Sequence, residues 1–150
     1  MDTQTITTDR RGGSQKSLST LLQTRTETLS LYTQLANLRP FKPTQEVQML
    51  LQEFCEALVD YTASAHFQLY RFIEDDSERR SSVRALAAEI YPTIAETTQS
   101  ILDFNERYDC EDHCNNLSHL DRDLSLLGEM LADRIQLEDQ IVDVLQSGQK

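Results

Sequence analysis

Tryptophan is absent from this 150-residue chain, and glycine and proline number only four and three. Those two residues supply most tight turns, so their scarcity excludes a β-sandwich and favours few, long elements. Long apolar runs are missing too. No stretch approaches the ~18 apolar residues of a membrane-spanning helix. The start, Met1-Asp2-Thr3-Gln4-Thr5-Ile6-Thr7-Thr8, lacks the apolar centre of a signal peptide. Three cysteines, an odd number without an export signal, are expected as reduced thiols in the cytoplasm. There is no Gly-x-Ser-x-Gly turn, P-loop or Gly-rich dinucleotide turn. Neither an enzyme nor a bound cofactor is expected.

Positive charge is also in short supply. Fourteen Lys and Arg face 25 Asp and Glu, for a net charge of −11. A field of that sign disfavours direct binding to nucleic acid or an anionic membrane and favours basic partners. The imbalance is uneven. Residues 1–45 hold six basic and three acidic side chains, whereas residues 103–150 hold twelve acidic and four basic.

What the chain does have is helical periodicity, with 39 % hydrophobic residues in steps of three and four. A polar tail is expected at residues 1–13, disordered and Thr-rich, ending at Gly12-Gly13. A first helix is expected from Ser14 to Asn37, with Leu18, Leu22, Leu29, Tyr32 and Ala36 inward and Arg25 in the same series. Pro40 and Pro43 break the chain, and Thr44 can cap a second helix from Gln45 to Glu74. Its stripe is Val47, Leu51, Phe54, Leu58, Tyr61, Ala65 and Phe72. The third helix, Glu78 to Tyr108, carries Val83, Ala87, Ile90, Ile94, Thr97, Ile101, Phe104 and Tyr108 inward. It contains Pro92, which predicts a kink near residues 89–91 or a break. The fourth, Leu117 to Leu145, buries Leu120, Leu124, Leu127, Leu131, Ile135 and Val142. Four amphipathic helices with short links predict an all-α, up-and-down antiparallel four-helix bundle, one domain over residues 14–147.

Polar residues on or beside the stripes are expected to form a structural layer: Arg25, His66, Arg134 and Glu138. Arg134 and Glu138 lie four apart and can pair on one helix face. Cys110-x2-His113-Cys114-x4-His119 groups four metal-type donors, but its spacing matches no standard zinc site. No Glu-x-x-His pair of a di-metal bundle occurs, so no metal is expected. Outside the stripe of the second helix, Glu53, Glu56 and Asp60 form an acidic ridge. It is either an ordinary solvated face or a surface for a basic partner.

Several stretches together resemble the Rsd/AlgQ family of bacterial anti-sigma factors. Phe54-Cys55-x-x-Leu58-Val59-Asp60-Tyr61 followed by His66-Phe67-x-Leu69-Tyr70 is similar to its core signature. Gly12-Gly13-x-x-Lys16 and Leu22-x-x-Arg25 are similar to its first helix. Ile90-Tyr91-Pro92 and Asp103-Phe104-Asn105-x-Arg107-Tyr108-Asp109 are similar to its third. Leu127-Gly128-Glu129-x-Leu131 and Arg134-x-x-Leu137-Glu138-Asp139 are similar to its fourth. The chain departs at Ser19-Thr20-Leu21, where the family has Asp-Arg-Trp, and at Ala65, where it has Gly. The resemblance implies a protein that sequesters the primary sigma factor of RNA polymerase by its basic C-terminal helix-turn-helix domain, the module that reads the −35 promoter element. It also implies that Asp60 belongs to the sigma-facing surface. Glu53 and Glu56 extend that surface, and Phe67 and Tyr70 are the candidate apolar anchors beside it. Two other readings compete: a ligand- or metal-binding bundle using His66 with Glu138 or the Cys110–His119 loop, and an adaptor for another regulatory protein.

Overall fold

The computed structural model describes residues 2–70, 81–108 and 117–147, with side chains described at residues 19–67, 84–108 and 117–144. Four helices account for almost all of this: α1 (Asp2–Ala36), α2 (Gln45–Ser64), α3 (Ser81–Tyr108) and α4 (Leu120–Ser147). A π-helical turn, Ala65–Tyr70, continues α2. No strand occurs among the described residues.

Helix α1 spans Asp2–Ala36, but its described contribution to the core begins at Leu21, so the bundle does not overturn the N-terminal tail expected from the sequence. Thr44 caps α2 as expected, its hydroxyl accepting the Val47 N–H at 3.3 Å. The segment between α1 and α2 contains a cis Arg39–Pro40 peptide. Pro92 lies inside α3, which stays one helix and does not break in two. Phe72 and the expected end of the second helix lie outside the described residues, as does the 109–116 loop.

Contacts between elements give the topology. Tyr32 meets Phe54 edge-on at 5.9 Å, and the Thr28 hydroxyl donates to Ala57 O, so α1 and α2 run antiparallel. Arg107 reaches Asp123 while Arg134 reaches Thr97, so α3 and α4 do the same. Arg25 pairs with Asp139 and Arg39 with Asp121, which makes α1 antiparallel to α4. Phe54 meets Phe104 edge-on at 5.9 Å to join α2 to α3. The result is the up-and-down four-helix bundle expected from the sequence.

The α3 stripe from Ala87 to Tyr108 is buried as read. The α1 stripe is so only in part: Tyr32 and Ala36 pack against the core as expected. Leu22 and Leu29 are more than a third exposed, while Leu21, Thr28 and Leu35 are fully buried. The true stripe repeats every seven residues and lies one residue earlier. Thr28 is tolerated there because its hydroxyl also donates to Thr24 O at 2.9 Å, which leaves no orphan polar atom.

Candidate functional site

Two layers of α2 define the site, one buried and one outward. The buried layer centres on Arg134, which is wholly enclosed. Its Nε donates to Glu138 Oε2 at 3.3 Å and to Tyr61 Oη at 3.2 Å. The Tyr61 hydroxyl donates to Glu138 Oε1 at 2.6 Å. Arg134 Nη1 donates to Thr98 Oγ1 at 2.6 Å, Thr97 Oγ1 at 3.1 Å and Ile94 O at 3.4 Å. Arg25 adds a contact from α1, 3.6 Å to Glu138 and 2.9 Å to Asp139. One clasp thus ties all four helices. A buried charge is tolerable only when paired and hydrogen-bonded in this way.

The clasp perturbs its own titration. Burial pushes the Glu138 carboxyl above its ordinary value, against the pull of Arg134, Tyr61 and Arg25. Burial also raises the Tyr61 phenol, and the neighbouring Glu138 raises it further.

Of the four residues expected in the polar layer, Arg25, Arg134 and Glu138 do meet. His66 does not join them. It is exposed, its ring edge-on to Phe67 at 5.2 Å between centroids. It lies seven residues, about two helical turns, after Val59, which is itself 50 % exposed, so the side of α2 that the two share faces away from the core. Tyr61, Thr97 and Thr98 complete the layer. Tyrosine and threonine in an apolar stripe read as packing residues, so their hydroxyl roles carried no sequence signal beyond position.

Tyr61 also fixes what the outer layer presents. Successive helical residues are about 100° apart, so an anchored, inward Tyr61 turns Asp60 to solvent. Glu53, Glu56 and Asp60 are all exposed. Met49 lies on the same outward face, 54 % exposed, and Val59 beside it is 50 % exposed. Positions 49, 53, 56 and 60 follow steps of four, three and four. The outward face is therefore a second stripe, about 16 Å from Met49 to Asp60 at 1.5 Å per residue, and Phe67, 64 % exposed, follows in the π-helical turn. Met49 and Val59 were not among the expected site residues, because their exposure depends on which side of α2 the bundle covers. The Tyr70 side chain lies outside the described residues.

Cys110, His113 and Cys114 lie outside the described residues, and His119 is exposed. Among the described residues no group of three or more His, Cys, Asp or Glu could hold a metal ion. Nor is any described helix long and apolar enough to cross a membrane.

Comparison with known proteins gives the family. A family profile described as "Regulator of RNA polymerase sigma(70) subunit, Rsd/AlgQ" matches residues 1–146. The chain is 35 % identical over 139 residues to a Yersinia enterocolitica protein named Regulator of sigma D, covering 90 % of this chain and 83 % of that one. It is 36 % identical to a Yersinia pseudotuberculosis protein of the same name, covering 90 % and 82 %. A Salmonella paratyphi A protein so named is 34 % identical over 142 residues, covering 90 % and 85 %. No solved structure matches. With almost its whole length matched by the profile and by these relatives, the chain belongs to the Rsd/AlgQ family.

Proposed function

We propose that this protein is a non-enzymatic anti-sigma factor of the cytoplasm. It binds the primary sigma factor of RNA polymerase and holds its C-terminal, promoter-reading helix-turn-helix domain away from polymerase and promoter. The observation that carries this reading is the outward face of α2, with Glu53, Glu56 and Asp60 exposed between exposed Met49 and Phe67.

The chemistry follows from that arrangement. A net charge of −11 steers a basic domain into encounter, which speeds association and makes it salt-sensitive. Once docked, Asp60 accepts charge-assisted hydrogen bonds from an Arg or Lys of the partner. Met49 and Phe67 supply the apolar anchors that concentrate binding energy, and Met adapts its shape to the surface it meets. The clasp beneath keeps Asp60 turned outward before the partner arrives, which lowers the ordering cost of association.

Titration of the purified protein with the isolated C-terminal domain of the primary sigma factor tests this. A complex at low salt that weakens as salt rises is expected; no complex at low salt overturns the proposal. Asp60→Ala is expected to weaken the complex by about 2 kcal/mol, the scale for truncating one partner of a buried charge pair. Unchanged affinity removes Asp60 from the interface.

A further inference from the structure

A second surface lies where α3 packs on α4. A cleft of about 380 Å³ opens there, and every residue lining it belongs to those two helices. Phe104 and Leu127, both buried, make its floor. Met130 is half-buried at one side, and Leu126, 57 % exposed, stands on its edge. An exposed leucine over a methionine-lined apolar floor offers anchor pockets without a built-in occupant.

The charge around the cleft is one-sided in effect. Both nearby arginines are engaged by the same carboxylate: Arg107 bonds Asp123 at 2.8 Å and Arg122 approaches it at 3.5 Å. Asp103 lines the cleft, exposed, and among the described residues it accepts a hydrogen bond from the neutral amide of Gln99 at 2.9 Å. Glu96 lies seven residues before Asp103, and Asp133 seven after Leu126, so each shares a face with a cleft residue. Both are exposed, and neither pairs with a cation among the described ion pairs. One carboxylate offsets only one of the two arginines, but Asp103, Glu96 and Asp133 outnumber the positive charge left over, so the banks are net negative. A second copy of this chain would set those acids against each other. A compact small molecule would meet an open trough, without the enclosure that such ligands need.

We infer that the α3–α4 cleft is a second docking site, which takes an amphipathic helix of a basic partner protein. The apolar face of that helix seats on Leu126, Met130 and Phe104, and its flanking Lys or Arg residues meet Asp103, Glu96 and Asp133. Helix-in-groove binding uses this division between apolar anchors and charged rim. Because α2 contributes nothing to the cleft, the site is separate from the outward face of α2 and leaves it free for its own partner.

The test uses the full chain and a fluorescent designed peptide of roughly 18 residues, helical, with leucine on one face and lysine on the other. Binding is read by anisotropy against Leu126→Asp, Asp133→Lys and Asp60→Ala, with circular dichroism confirming that each variant is folded. Leu126→Asp is expected to weaken binding about tenfold or more, as loss of an anchor does. Asp133→Lys is expected to weaken it less and to flatten its salt dependence. Asp60→Ala is expected to leave it within twofold. Equal affinity for wild type and Leu126→Asp overturns the proposal. So does a loss in Asp60→Ala as large as that in Leu126→Asp, which would place the peptide on α2.

Discussion

An arginine, a carboxylate and a tyrosine meet twice in this bundle, and the two meetings differ chiefly in water. In the clasp, Arg134, Glu138 and Tyr61 sit in the centre with the arginine and glutamate fully enclosed. At the end of α3, Arg107, Asp123 and Tyr108 join similarly, with bonds of 2.8 Å from Arg107 and 2.5 Å from Tyr108, but Arg107 is 61 % exposed. The same chemical set gives opposite titration. Burial dominates at Glu138 and raises its carboxyl. At Asp123 the smaller burial penalty is outweighed by the bonds from Tyr108 and Arg107, and the carboxyl is lowered. Contact distance alone does not say what an ion pair contributes; the surrounding dielectric decides.

The sharpest way to break the comparison is to remove the arginine or its partner on each side. Arg134→Ala leaves the buried Glu138 with only Arg25, 3.6 Å away, as a counter-charge, and urea denaturation is expected to show a loss of about 3 kcal/mol. Replacing the clasp together, as Arg134→Met with Glu138→Leu and Tyr61→Phe, is expected to recover most of that loss or exceed wild type, because no buried charge remains. A triple variant as unstable as Arg134→Ala would show that the clasp stabilises the fold beyond satisfying itself.

Smaller in size, and opposite in sign, are the pH effects. Glu138 is raised, so its contribution is full below the ordinary glutamate value of 4.5 and is lost as pH rises through the folded value. Asp123 is lowered, so its contribution is present above the ordinary 3.8 and is lost as pH falls through the folded value. Denaturation midpoints followed from about pH 3 to 8 are expected to lose their alkaline-side decline in Glu138→Gln and part of their acid-side decline in Asp123→Asn. Identical profiles in both variants would refute the assignment. The smallest effect belongs to Asp123→Asn at neutral pH, within about 1 kcal/mol, as for exposed pairs generally.

Legibility in the sequence followed how much each element depends on partners. The α3 stripe was readable because its apolar residues recur with no competing register. Helix α1 was misread by one residue because Leu21 and Leu22 are neighbours and both fit a helical period, and because the buried Thr28 looks polar. Its true face is chosen by α2, whose Ala57 carbonyl accepts the Thr28 hydroxyl. The Arg134–Glu138 pair was visible from its spacing, but its phenol and threonine partners come from other helices and leave no local trace. His66 was misplaced because the side of α2 that it shares with Val59 was read as flanking the core, whereas Val59 is 50 % exposed. On the outer face, the acids of α2 were evident, whereas the exposure of Met49 and Val59 required knowing which side of α2 the bundle covers.

Gly128 on α4 faces Tyr32 of α1 so closely that a Cβ there would overlap the phenol ring and oxygen. That oxygen donates to Leu124 O at 3.0 Å, so the ring has little freedom to retreat. The two positions behave as one unit of design. A chimera that took α1 from one relative and α4 from another would have to carry a matched residue at both 32 and 128, or move the two helices apart.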